Sequence, residues 1–383
     1  MRIGIDYTAA VKQQGGIGRF VRGLVDGLAG VDQFNEYLLL CFLRGKERRE
    51  IPATQTSNFR ERLIPIPERI MAILWHRFSL PIPVDIATGQ VDVFHAPNFV
   101  LPPLRHGASV LTIHDLSFLL HPECHEESLR SYLEKAVPVS MARADVITTD
   151  SHSARNELIC LLDADPERVE VVYGGVDDRF RPMEREWELL SATRQRFGIN
   201  YPFILNVGII EPRKNLVNLV QAYQRLKTRL RLGHRLVIAG SKGWLYSDVF
   251  RKVRDLHLED DVVFLGYVPE EDLPALFNLA DLFVYPSLYE GFGLPVVEAM
   301  ACGTPVVTSN TSSLPEVVGE AGLMVPPADI DALENAMERG LCDLALRDKL
   351  KIDGVQQAAK FSWRRAAESL LRVYEKATQY RHR

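Results

Sequence analysis

Short, almost unbroken runs of Val, Ile, Leu and Phe alternate along this chain with longer amphipathic stretches. The apolar runs at residues 2–6, 36–42, 91–95, 109–113, 145–149 and 169–172 have strand length. Between them, residues 18–29, 128–142 and 151–161 place apolar positions at helical spacing. The rhythm resumes at 203, with strands predicted at 203–207, 235–239, 262–265, 282–285, 305–308 and 322–325. Helices are predicted at 216–230, 248–256, 269–279, 293–301 and 330–341. Continuously apolar strands separated by helices predict parallel sheets covered on both faces.

Residues 174–201 break this pattern with a Gly-Gly-Val-Asp-Asp-Arg-Phe-Arg-Pro loop and a charged, helix-like stretch. The expected division is therefore into 1–180 and 181–362, each an α/β, doubly wound, Rossmann-like domain. A last helix is predicted at 363–380, with Ser362 as its N-cap. Doubly wound sheets bind ligands at the carboxyl ends of their strands. The site is expected in a cleft between the two domains, on loops that follow strands.

Composition narrows the function. The 383 residues suit two such domains. A formal charge of −5 argues against nucleic acid as a partner, because phosphate backbones are met by a basic excess. The N-terminus reads as a first strand rather than a secretory leader, and no apolar run reaches the ~18 residues of a membrane span. The five cysteines form no Cys-x-x-Cys pair, which suits free thiols in a reducing, cytoplasmic setting.

Four motifs follow predicted strands. Glu290-Gly-Phe-Gly-Leu-Pro-Val-Val-Glu298 follows 282–285 and opens a helix near Gly293. Gly291 and Gly293 allow close backbone approach, and the helix start offers a diphosphate site. Two carboxylates at its ends would suit two hydroxylated groups; the bland reading is two solvated glutamates. Pro-Arg213-Lys214-Asn follows 203–207 and offers two cations to a leaving diphosphate, where the bland reading is a solvated helix start. Gly15-Gly16-Ile-Gly18 follows the first strand but is incomplete as a dinucleotide fingerprint. His114-Asp115 follows 109–113.

Together these motifs resemble the retaining family 4 glycosyltransferases of the GT-B fold, especially the mannosyltransferase B-like branch, in the family's order and over nearly the whole chain. The resemblance implies transfer of a hexose from a UDP- or GDP-linked nucleotide sugar to a glycan or lipid-linked acceptor in polysaccharide biosynthesis. It implies retained anomeric configuration, no metal, no cofactor beyond the nucleotide-sugar co-substrate, and a last helix, 363–383, that returns to the first domain. On it Arg213 and Lys214 bind the diphosphate, Glu298 the ribose, and Glu290 with the amides of Phe292, Gly293 and Leu294 the sugar and phosphate. Gly16 faces the diphosphate and His114 lies beside the reacting sugar. Gly240 and Ser241 line the nucleotide pocket, and Tyr267 and Val268 meet the base.

Asp163-Ala-Asp165 and Asp329-Ile-Asp331 match a metal-binding spacing, but both sit where turns and helix caps are wanted, and the structural reading is preferred. Residues 44–77 carry eight Lys/Arg against four Asp/Glu, with Ile70, Met71, Ile73, Leu74 and Trp75, and Phe78 just beyond. A core-facing helix is the first reading of 44–78 and a peripheral membrane contact the second. A sugar-nucleotide 2-epimerase and a non-catalytic nucleotide-sugar-binding module are the rival functions.

Overall fold

The computed structural model describes residues 1–43, 56–77, 80, 82–183 and 188–381. They form two compact units. The first comprises Met1–Leu120, Glu127–Gly175 and Ser362–Arg383, and the second comprises His121–Glu126 and Val176–Phe361.

The first unit is built on seven parallel strands: β1 (Arg2–Asp6), β2 (Glu36–Phe42), β3 (Phe59–Ile64), β4 (Val93–Ala96), β5 (Ala108–Thr112), β6 (Val146–Thr149) and β7 (Val169–Val171). Their spatial order is β3-β2-β1-β4-β5-β6-β7, which reverses direction between β1 and β4. Neighbouring residues serve opposite layers, as a pleat requires. Val93, Val110 and Val146 face one helical layer, while Phe94, Leu111 and Ile147 face the other. The first layer is made by helices Gly16–Val31 and Trp363–Arg381. Phe20, Leu24 and Leu28 of the former meet Ala367, Leu370 and Tyr374 of the latter in one buried cluster. Their approach depends on the absence of side chains at Gly23 and Gly27. A Cβ there would come within 2.1 Å of the Trp363 ring and 2.4 Å of its carbonyl oxygen.

The second unit has six parallel strands: β8 (Phe203–Val207), β9 (Arg235–Ala239), β10 (Val262–Gly266), β11 (Leu282–Tyr285), β12 (Val306–Ser309) and β13 (Leu323–Val325). Their order is β10-β9-β8-β11-β12-β13, reversing between β8 and β11. Helix Leu216–Leu230 covers one face through Leu219, Val220, Tyr223 and Leu226, at i, i+1, i+4 and i+7. Helix Leu294–Ala301 is buried almost all round.

Besides short helices such as Thr8–Lys12 and Leu314–Val318, two longer elements escape the sequence reading. β3 reads Phe-Arg-Glu-Arg-Leu-Ile with only Phe59 buried, so it lacks an apolar run. Helix Leu344–Ala358 buries only Leu350, Gly354 and Ala358. Helix Gly16–Val31 also begins two residues before its predicted start, since glycines hide the apolar signal there.

Candidate active site

In the second unit, the loops after β8 and β11 meet at the carboxyl ends of the two strands that flank the reversal, where an open α/β sheet leaves a ligand crevice. After β8 the chain makes a tight turn, Pro212–Lys214, closed by Asn215 in the left-handed region at φ 56°. The Asn215 amide donates to the carbonyls of Pro286 (3.0 Å) and Pro327 (2.7 Å), and the Leu288 amide donates to Arg213 O (2.8 Å). The two loops are thus tied before any charge is considered.

Between them lies a buried ionic cluster. Glu290 is only 6% exposed, and its carboxylate bridges Lys214 Nζ at 2.6 Å and Arg213 Nη1 at 2.9 Å. Glu211, equally buried, accepts from Arg213 Nη2 at 2.8 Å. Beneath them the Tyr285 hydroxyl accepts from Lys214 Nζ at 2.7 Å. Burial by itself would raise the Glu290 carboxyl, but Arg213 and Lys214 outweigh it and hold it down at about 2. The solvated reading of these residues is overturned. Glu298, on helix Leu294–Ala301, is also only 3% exposed and lies near Cys302.

The loop bearing Glu290 is braced from the end of β12. Glu290 N donates to Ser312 Oγ (2.9 Å), while Ser313 Oγ donates to the carbonyls of Glu290 (2.9 Å) and Phe292 (3.0 Å). The helix begins one residue later than predicted, because Gly293 sits at φ 100°, ψ 49° as its N-cap. Only glycine takes that conformation at low energy. Val296 N donates to Gly293 O, and Pro295 has no amide hydrogen, so little of the first turn is open to an anion. The amides of Gly293 and Leu294 have no protein acceptor among the described residues. Gly291 and Phe292 are buried beside them.

Farther along the same sheet edge, Gly240 donates its amide to Gly266 O (2.8 Å), and the Ser241 carbonyl accepts from Ile210 N (2.9 Å). Ser241 is exposed, Tyr267 is 45% exposed, and Val268 is buried. None of these four makes a recorded side-chain hydrogen bond to the Glu290 cluster.

In the first unit, His114 follows β5 and is 4% exposed. Its Nδ1 lies 2.7 Å from Asp150 Oδ2 and its Nε2 2.9 Å from Pro97 O. The edges of Phe20 and Phe99 pack against the ring. Gly16 is the exposed first residue of its helix, with open space where a Cβ would sit, whereas one on Gly18 would lie 2.0 Å from Gln13 O. The glycine of this motif that the fold itself requires is therefore Gly18.

Both Asp-x-Asp matches serve the backbone. Asp165 caps the turn Pro166–Arg168, and Asp329 caps helix Ile330–Cys342 by accepting from Ala332 N (2.8 Å). Asp163 closes the preceding helix at φ 51°, and Asp331 pairs with Arg225. No group of three His, Cys, Asp or Glu fit to hold a metal occurs among the described residues.

Of 44–78, residues 44–55 and 78 lie outside the described residues. The rest comprises β3, a short helix Glu68–Ala72 and a wider turn Ile73–Arg77. Met71 and Trp75 enter the core, while Ile70 (46%) and Ile73 (38%) stay exposed. No described helix is long and apolar enough to cross a membrane.

Glu211, Tyr285, Ser312, Ser313 and Asp150 were not singled out from sequence. Two signals were present: Glu211 lies inside the Pro-Arg-Lys-Asn neighbourhood, and Asp150 directly follows a predicted strand, as His114 does.

Residues 14–180 match the model of Glycosyltransferase Family 4, and residues 191–357 that of Glycosyl transferases group 1. The chain is 35% identical over 368 residues to the O-antigen chain mannosyltransferase B of Escherichia coli, covering 94% of this chain and 96% of that protein. It is 34% identical over 276 residues to the serotype-specific mannosyltransferase WbdA of Escherichia coli, covering 71% of this chain and 34% of that longer protein. Among solved structures it is similar to HepE of Anabaena in complex with UDP-glucose, with TM-score 0.73, 19% identity, and coverage of 97% of this chain and 98% of that one. The chain belongs to the family 4 glycosyltransferases and has their GT-B fold of two Rossmann-like units.

Proposed function

We propose that this glycosyltransferase moves a hexose, mannose in the first instance, from a nucleotide diphosphate sugar to a growing or lipid-linked glycan of a bacterial surface polysaccharide, with retention and without a metal. The observation that carries the reading is the Glu290 carboxylate bridging Arg213 and Lys214 at the strand reversal of the second unit. Mannose is favoured by the activity named for the Escherichia coli relative that matches nearly the full chain.

In this reading Arg213 and Lys214 stabilise the departing diphosphate, held in place before the reaction by Glu211 and Tyr285. Lys214 has three N–H groups, of which Tyr285 and Glu290 take two, leaving one for a phosphate oxygen. The amides of Gly293 and Leu294 bind the same anion. Glu290 orients the transferred sugar, and Glu298 the ribose. Gly240, Ser241, Tyr267 and Val268 border the nucleotide. The first unit supplies Gly16 and His114 and carries the acceptor. With no residue placed as a covalent nucleophile, the leaving phosphate itself helps deprotonate the acceptor hydroxyl.

Thermal-shift titration with GDP-mannose, UDP-glucose and ADP-glucose tests the donor. A ligand at 100 times its Kd adds ~2.7 kcal/mol of stability. GDP-mannose should give the largest shift, and incubation without acceptor should give slow hydrolysis. An isomerised donor would show an epimerase, and an untouched one a binding module. Transfer should survive EDTA, since two cations and a helix start already meet the diphosphate charge. Abolition by EDTA with recovery on Mn²⁺ would reverse that point.

Membrane contact belongs to the same proposal. Leu63, Ile66, Ile70 and Ile73 are each 38–46% exposed, in a segment that also carries the exposed Arg60, Arg62 and Arg69. Such a segment suits an anionic bilayer that presents a lipid-linked acceptor. Co-sedimentation with phosphatidylglycerol vesicles, lost in the Ile70→Glu/Ile73→Glu double variant, is the expected result; equal recovery of both proteins would refute it.

A further inference from the structure

We propose that Asp150 is a positioning residue of the transfer reaction, holding His114 as an imidazolium whose two N–H groups are both spent on the protein, so that the ring acts as a fixed charge and not as a proton donor or acceptor. The functional part rests on the transferase reading above; the structural part stands without it.

Each ring nitrogen faces a fixed oxygen of the protein. Nε2 lies 2.9 Å from Pro97 O, and a carbonyl can only accept, so Nε2 carries a hydrogen. Nδ1 lies 2.7 Å from Asp150 Oδ2, an acceptor whenever that carboxyl is ionised. The ring then holds two hydrogens, and neither nitrogen keeps a lone pair for a substrate proton. Rotation is blocked, because Phe20 meets the ring at 5.1 Å and 82° and Phe99 at 5.5 Å and 68°.

The charged and titratable groups around the ring come from three strand ends. Asp150 follows β6, Asp115 follows His114 itself, and His95 lies on β4. His95 is kept neutral in its own chain of hydrogen bonds, with Tyr374 OH at 3.0 Å and Thr112 Oγ1 at 2.8 Å. No cation therefore competes for Asp150 among these groups. Burial raises the Asp150 carboxyl and by itself would draw the His114 imidazole down, but the Asp150 carboxylate, its hydrogen bond and Pro97 O together raise the imidazole; with the Nε2 hydrogen already committed to Pro97 O, the geometry favours the ion pair.

Asp150 shows a second feature that a purely structural role leaves unexplained. It is 5% exposed, and its Oδ1 has no hydrogen-bond partner among the described residues. A buried acceptor left unmatched is destabilising, more so when charged. Asparagine would satisfy His114 Nδ1 equally well, through its oxygen or its amide, without placing a charge in the interior. What aspartate alone adds is the negative charge that keeps the ring protonated.

The test is Asp150→Asn in the full-length enzyme, with the His ring nitrogens labelled with ¹⁵N and the His114 signals assigned by their loss in His114→Gln. In the native protein at about pH 8, above the ordinary imidazole range, both His114 nitrogens should read as protonated. In Asp150→Asn the ring should become the neutral Nε2–H tautomer, with the Asn amide donating to Nδ1. Turnover should fall roughly 10-fold or more, as for loss of one preorganised charge. Calorimetric Kd values for GDP and UDP should stay within about twofold, since the diphosphate cluster belongs to the other unit. A neutral His114 in the native protein at about pH 8 would overturn the proposal even if the variant failed to fold. Native turnover in a folded Asp150→Asn would overturn it as well. The NMR measurement needs no transfer activity, so a failure of the transferase reading is seen separately.

Discussion

Glu290 and Glu298 are equally buried, yet the two should fail differently when changed. Glu290 is fixed by two cations and lies at the strand reversal, where the bond is proposed to break. Glu298 sits a helical turn inside helix Leu294–Ala301. A ribose contact is nearly the same in ground and transition states, so Glu298→Ala should raise donor KM and Kd with little change in kcat. Glu290→Gln keeps size and most hydrogen bonding but removes the charge, and should lower kcat by about 10²-fold with a smaller KM effect. The reverse pattern in steady-state kinetics backed by calorimetry would exchange the two assignments. Lys214→Ala should lower kcat by a similar ~10²-fold. At this scale the sequence singled out Glu290, Arg213 and Lys214, which the fold brings together, because carboxylates and cations at strand ends stand out. It did not show what holds them. Tyr285 lies within a strand that reads as ordinary core, and Ser312 and Ser313 lie in a loop whose hydroxyls give no spacing signal.

Strands and helices were legible wherever one strong period governed a segment. Every predicted strand is present with small shifts at its ends, since fully buried parallel strands are continuously apolar. β3 was missed because an edge strand beside exposed arginines shows neither alternation nor a run. The packing of two helices was also hidden. Gly23 and Gly27 read as weak points within helix Gly16–Val31, whereas in the fold they are the surface that admits Trp363. Gly30 on the same helix meets nothing within 4 Å. Gly30→Ala should therefore be neutral or slightly stabilising, by less than about 1 kcal/mol, through better helix propensity. Gly27→Ala should destabilise by about 1–3 kcal/mol despite the same propensity gain, because its methyl would overlap Trp363 O. Urea denaturation of the two variants checks the contrast, and equal midpoints would show that the helices can separate without loss.

At the scale of the whole molecule, the return of the last helix to the first unit gives that unit a specific acid sensitivity. Tyr374 on helix Trp363–Arg381 meets His95 on β4, and Thr112 and Thr148 continue the chain of hydrogen bonds across β5 and β6. His95 is wholly buried, and burial, with His114 nearby as a lesser cause, pushes its imidazole down to about 3. An unfolded histidine titrates near 6.5, so between those values the unfolded chain binds one proton that the folded protein refuses. Stability from this residue is fully present above about pH 6.5 and falls by ~1.4 kcal/mol per pH unit as the solution is acidified towards 3. The total is on the order of 5 kcal/mol, enough to dominate the acid limb of a marginally stable unit. Glutamine at position 95 can keep a hydrogen bond to Tyr374 or Thr112 but does not titrate. His95→Gln should start less stable at neutral pH, by about 1–3 kcal/mol for imperfect hydrogen bonding. Its deficit should then shrink steadily between about pH 6 and pH 4, because the native protein alone carries the proton penalty. Carboxylates act on both proteins alike and cancel in the difference. Urea midpoints measured across that range decide the matter: two parallel curves would mean that His95 accepts its proton without unfolding, and that the helix contact through Tyr374 yields to acid before the sheet does.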